Sequence, residues 1–348
     1  MPVDSDGSVA FEAPANTLLQ LQLLDDNGMA VMTMRSSVYL QPGERAACVG
    51  CHESRYSTPP TARLMSARVH QIAPPAGPRY EGGFSFARTV QPVLDRYCLN
   101  CHGPAKTEGG VDLTGGFPLA GKDESRSERT AGFSNSYGSL IRIGGLVKVA
   151  PRNGETYFSR PKDYFAHAGR LAQMLLDGHA DKAGKRRVEL DRESFQRVVD
   201  WLDLNAQCYG DYSFNRIETR MPLAQGERAL RAAIEQRFGP ELAGQPYPAL
   251  VNVANPAESR ILMGPLSKTA GGWGQITQNA YSSAGDPAYA DMRKLVEASI
   301  APLKYQDVAG TCGHENGCRC GDCWVRKDLA ARHQPPAVNA DKKLAGSR

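Results

Sequence analysis

No run of apolar residues in this chain approaches the ~20 that a helix needs to cross a bilayer, so no membrane span is read in it. Neither sign of charge dominates: 41 Lys and Arg face 37 Asp and Glu, for a net charge of +4 over 348 residues. Charge that weak and mixed argues against nucleic acid as a partner. The short runs Lys185-Arg186-Arg187 and Lys342-Lys343 read as solvated surface. Aromatic residues are scarce at 7%, whereas 35 glycines and 23 prolines imply long loops. An apolar content of 41% still supports a globular core, and a loop-rich chain can complete such a core around a cofactor. Histidine is also rare, with seven in all, which limits the candidates for any metal chemistry. The N-terminus lacks the charged-then-apolar pattern of an export signal.

Residues 1–45 read as a small β segment. Ser8 to Phe11 alternates, Leu18 to Leu24 and Met29 to Met34 are apolar runs, and Asp25-Asp26-Asn27-Gly28 is a turn between them. Two or three antiparallel strands are expected, as one edge of a sandwich. Residues 46–83 hold a first cysteine motif and a Pro- and Gly-rich linker. In 84–215, Phe86, Val90, Val93, Leu94 and Tyr97 recur at helical spacing, whereas 109–121 and 132–145 look loop-like. Leu171, Met174 and Leu175 mark a short helix ending at Gly178, and a stronger helix starts at Asp191 with Phe195, Val198, Val199, Trp201 and Leu202 on its buried stripe. Residues 216–330 form a helical C-terminal region with helices expected over 226–238 and 287–300, the latter capped by Asp286 with Pro287 next. Residues 331–348 read as a flexible tail.

Two pentapeptides carry the chemistry: Cys48-Val49-Gly50-Cys51-His52 and Cys98-Leu99-Asn100-Cys101-His102. In such a motif each thiol can add across one vinyl group of a haem, and the histidine then lies beneath the iron. One copy alone also suits a zinc or dithiol site. Two copies, each with histidine in register, favour two covalent c-type haems. Haem attachment of this kind takes place outside the cytoplasm. A periplasmic, exported protein is therefore expected although no signal peptide is present, and the sequence reads as the C-terminal part of something longer.

The remaining axial position of each iron decides between closed electron carrier and open catalyst. For the second haem the leading candidate is His179, just past the glycine-capped helix end. A solvated loop histidine is the plain alternative, and His167 and Met174 compete for the same role. At the first motif, Tyr56 follows His52 by one helical turn. A tyrosine there serves packing in most proteins, although tyrosine can ligate haem iron. Five other cysteines remain. Cys312, Cys318, Cys320 and Cys323, with His314 among them, suit either a tetrahedral zinc or two disulfides, with incidental thiols as a third reading. Cys208 reads as a buried, inert thiol.

The residues quoted so far also carry a family likeness. Gly7-Ser8-Val9-Ala10-Phe11, Met34-Arg35-Ser36, Gln41-Pro42-Gly43-Glu44 and Cys48 to Glu53 resemble the hydrazine synthase alpha-subunit family, as do Phe86 to Gly103, Gly178-His179 and Trp201-Leu202-Asp203-Leu204-Asn205. These are large periplasmic proteins with an N-terminal β-propeller, a middle domain and a C-terminal dihaem region. The resemblance implies that Tyr56 binds the first iron while His52 binds zinc, and that the second haem is bis-histidine through His102 and His179. The family's other zinc ligands and its catalytic acid belong to the propeller, which this sequence does not contain.

The expected fold is a mainly α, cytochrome c-like dihaem region with long loops, preceded by the small antiparallel β segment. The expected function is that of a periplasmic dihaem cytochrome, an electron-transfer or redox subunit working with redox partner proteins or sister subunits. The rival is a haem enzyme with Tyr56 and His52 at its catalytic centre, forming hydrazine from small nitrogen compounds, nitric oxide and ammonium. A zinc-bound structural module is a distant third.

Overall fold

A carboxylate that can reach two amides makes a tight turn, and Asp25 does so in this chain. In the computed structural model, Asp25 Oδ1 accepts from the amides of Asn27 and Met29, at 3.0 and 2.9 Å. Gly28 follows in the left-handed region at φ +80°, and its tip lies against Gln196, so a methyl group there would collide. The turn joins β2 (Gln22–Leu24) to β3 (Ala30–Thr33) as an antiparallel pair with a register shift at Leu23/Leu24. The structure describes residues 1–5, 7–34, 36–48, 69–72, 84–116, 133–150, 160–210, 220 and 222–302.

The expected strand around Ala10 forms as β1 (Ala10–Glu12), but its partner differs from expectation. It pairs in parallel with β4 (Val69–Gln71), which lies inside the stretch read as linker. A three-residue strand offers no hydrophobic period that could fix its partner or direction. The architecture is accordingly mixed: helices supply most of the regular structure, with a small antiparallel sheet before them.

Helices α1 (Phe86–Thr89), α2 (Gln91–Tyr97) and α3 (Leu99–His102) follow one another almost without a break. Ser85 caps the first through its hydroxyl, and Pro92 opens the second where its missing N–H is harmless. Helix α7 (Arg192–Asp203) begins as expected, with Asp191 Oδ1 accepting from the Ser194 amide at 2.8 Å. Its stripe of Val198, Val199, Trp201 and Leu202 is buried, while Phe195 is only partly so. Trp201 sits at the centre, 5.0 Å from Phe86 and 6.1 Å from Tyr137 between ring centroids. Its indole N–H donates to the Gln207 carbonyl at 2.9 Å, so no polar atom is stranded.

The stretch 132–145, read as loop, contains α4 (Asn135–Arg142). Its sequence has weak helix propensity, but Ser134 caps it and Tyr137 and Leu140 are buried, so tertiary packing overrides propensity. Two short helices, α5 (Phe165–Ala168) and α6 (Arg170–Leu176), lead towards α7. The buried side chain of Asp203 joins this helical part to the hairpin, accepting from the amides of Ala30 at 2.7 Å and Ala166 at 3.0 Å.

A second core gathers around Leu230, Ile234, Ile261, Tyr281 and Val296. It is built mainly from the helices Ala224–Phe238 and Pro287–Ser299, the latter capped by Asp286. Arg197 of α7 pairs with both oxygens of Glu258, and Asn252 donates to the Ala87 carbonyl at 2.8 Å, so the two cores are held together by polar contacts. No helix among the described residues is long and apolar enough to cross a membrane.

Candidate functional site

The site grows from the way α6 ends. Gly178, at φ +72°, donates its amide to the Leu175 carbonyl at 3.0 Å, and His179 donates to the Met174 carbonyl at 2.7 Å. This pair of backward bonds is a Schellman ending, which turns the chain sharply and aims the following side chain off the helix end. His179 itself takes a left-handed conformation, φ +46°, that few residues adopt without support. The support comes from Arg187 and Val188, whose amides both donate to the Gly178 carbonyl, at 2.8 and 3.0 Å.

Opposite it, α2 and α3 present the second cysteine motif. His102 and His179 face each other across a cavity of about 780 Å³, with ring centroids 6.0 Å apart and planes inclined by 26°. Cys98 and Cys101 lie on the cavity wall with Tyr97 and Met174, and the lining is otherwise chiefly aliphatic, including Val93, Leu94, Leu140 and Leu171. Burial holds the Cys98 thiol well above its usual range, at about 12, so this sulfur is uncharged. Burial first, then the charges of Arg187 and His102, push the His179 pKa down, which favours the neutral imidazole that ligates metals. His102 Nδ1 is buried without a hydrogen-bond partner among the described residues.

These features fit a c-type haem. An imidazole nitrogen bonded to a metal at about 2 Å on each side leaves the two ring centroids about 6 Å apart. Two sulfurs on a chiefly aliphatic wall match thioether attachment. Among the described residues no group of three or more His, Cys, Asp or Glu could hold a metal ion unaided. A tetrapyrrole, which brings four nitrogens of its own, needs only the two histidines.

Of the other candidates for the second site, only His167 falls away by position. His167 is turned towards the hairpin, its Nε2 3.2 Å from Asp25 Oδ2, and does not line the cavity. Met174 does line it, one turn before His179. Cys208 is buried, as expected. Of the first motif, Cys48 is exposed, and Cys51, His52 and Tyr56 lie outside the described residues. So do Cys312, Cys318, Cys320 and Cys323. Sequence reasoning missed Arg187 and Glu108, which form an ion pair beside Cys101. The only signal for them was the basic run 185–187, which on its own reads as surface.

The structure defines a largely helical protein with a histidine-faced cavity next to a Cys-x-x-Cys-His motif, and the comparisons add its relatives. The family model for the hydrazine synthase alpha subunit middle domain matches residues 1–53. Hydrazine synthase subunit alpha of Kuenenia stuttgartiensis is 24% identical over 268 residues, covering 59% of this chain and 32% of that protein. The chain therefore spans about a third of that relative's length. It is a divergent relative of the hydrazine synthase alpha-subunit family. No solved structure matches it.

Proposed function

We propose that this chain is a dihaem c-type cytochrome that transfers electrons as a redox subunit, with the second haem in the cavity between His102 and His179. The observation that carries this reading is the facing pair of imidazoles, 6.0 Å apart, on a cavity whose wall holds both cysteines of an attachment motif. Bound haem supplies reversible one-electron exchange at iron. Cys98 and Cys101 would hold it covalently, and His102 and His179 would hold its iron. Leu94, Leu140 and Leu171 keep water from its faces, which limits reorganisation around the charge. With His102 and His179 both holding the iron, a small ligand would find no open site there. That favours electron transfer over catalysis at the second site.

The same reading assigns the first haem to Cys48, Cys51 and, at the iron, Tyr56 or His52. It places the protein in the periplasm with redox partner proteins or sister subunits, and the relative's name as a subunit supports such an assembly. The zinc reading of Cys312, Cys318, Cys320 and Cys323 belongs to the same proposal. A second reading, that the first haem is a catalytic centre for small nitrogen compounds, is favoured by the match over residues 1–53, which includes the first motif.

Carbon monoxide binding to the reduced protein separates the two. A carrier closed at both haems shows no carbonyl spectrum, whereas an open first site binds about one equivalent. Tyr56→Phe, which removes only the phenol oxygen, alters the oxidised spectrum of the first haem if Tyr56 is its ligand. An unchanged spectrum rejects tyrosine ligation.

A further inference from the structure

The segments that carry the two facing histidines are joined at the mouth of the cavity by one ion pair. Arg187 belongs to the loop leaving His179, its amide fixed on the Gly178 carbonyl at 2.8 Å. Glu108 belongs to the segment leaving His102, which folds back through bridges between His102 and Thr107 and between Gly103 and Lys106. The Arg187 guanidinium is bonded to Glu108 Oε2 and lies 3.6 Å from Cys101 Sγ, and Arg187 lines the cavity. Lys106 pairs with the other oxygen of Glu108. A planar fork that meets a carboxylate and a sulfur at once is a task for arginine rather than lysine.

We infer that Arg187 and Glu108 set the reduction potential of the second site in opposite directions, Arg187 raising it and Glu108 lowering it. The inference rests on the proposed haem in this cavity. An electron arriving there adds negative charge, so a fixed cation at its edge favours the reduced state and a fixed anion the oxidised state. Arg187 sits against the attachment cysteine with Glu108 bonded to it, and both side chains are only partly exposed, which leaves their charges felt. Arg187 is thus a positioning and potential-setting residue, distinct from the ligands.

The test is potentiometric titration of the intact, matured protein and of Arg187→Gln, Arg187→Lys and Glu108→Gln, each first assayed for covalent haem by pyridine haemochrome. The expected result is a lower midpoint for the second haem in Arg187→Gln, a higher one in Glu108→Gln, and a value near wild type in Arg187→Lys. If the pair were only a mechanical clasp, both glutamine variants would loosen the same two segments and shift the midpoint the same way. Shifts of equal sign, or none, overturn the inference while leaving the haem reading standing. Should Arg187→Gln fail to mature, a Glu108→Gln midpoint at or below wild type overturns it alone. Absence of covalent haem from the wild-type protein would instead overturn the reading beneath it.

Discussion

The amide of His179 donates to the carbonyl of Met174 at 2.7 Å, so the two side chains that compete for the distal position hang from the same helix ending. The left-handed turn at Gly178 carries His179 out to face His102, while Met174 remains on α6 within the aliphatic lining. The placement of His179 opposite His102 is therefore a property of the helix end as much as of the residue.

His179→Gly keeps the left-handed backbone available and removes only the imidazole. Its second haem is expected to change from low-spin to high-spin while covalent attachment persists, and added imidazole is expected to restore the low-spin spectrum. A low-spin spectrum that survives without imidazole assigns the position to another residue, Met174 first.

Gly178→Ala places a side chain at φ +72°, with its Cβ 2.6 Å from Arg186 Nε. The strain is expected to lower stability by about 1–2 kcal/mol. It should also weaken distal ligation, because His179 follows directly. Urea unfolding followed in the haem absorbance measures both, and an unshifted midpoint contradicts the account of the cap.

The helix geometry was legible because its signals are local. Asp191 and Asp286 announce helix starts through their own side chains, Gly178 announces a stop, and Asp25 to Gly28 is a turn by composition. His179 could be picked because it follows such a stop. The parallel pairing of Ala10–Glu12 with Val69–Gln71, the helix at Asn135–Arg142 and the Arg187–Glu108 pair were not legible. Each depends on which distant segment comes to lie alongside, and no residue pattern within the segment encodes that. His167 shows the same limit: between Ala166 and Ala168 it could face either side, and contact with Asp25 decided it.

Asp95 makes stability pH-dependent. It is buried on α2, where desolvation pushes its pKa up to about 7 from 3.8, against the lowering effects of Gln91 and Arg260. The folded state thus binds this proton more tightly than the unfolded state. The contribution is fully present below pH 3.8 and is lost as pH rises through about 7. The slope is at most about 1.4 kcal/mol per pH unit. Asp95→Asn keeps an acceptor for Gln91 and removes the titration, so it should flatten this part of the profile and raise stability at pH 8. Equal pH profiles for variant and wild type would show that Asp95 does not titrate in this window.

Trp201→Ala removes the ring that Phe86 and Tyr137 pack against and strands the Gln207 carbonyl. A loss of about 3–5 kcal/mol is expected. In thermal unfolding the variant should melt well below wild type, and a melting temperature within a few degrees would mean that the site collapses around the gap.

Covalent haem content is the most direct test of the central claim. Pyridine haemochrome analysis of protein matured by a periplasmic attachment system is expected to give about two haems per chain. The Cys98→Ala/Cys101→Ala variant should give about one. No haem in the wild-type protein, or equal haem in the two proteins, would contradict the claim that the cavity between His102 and His179 is a c-type haem site.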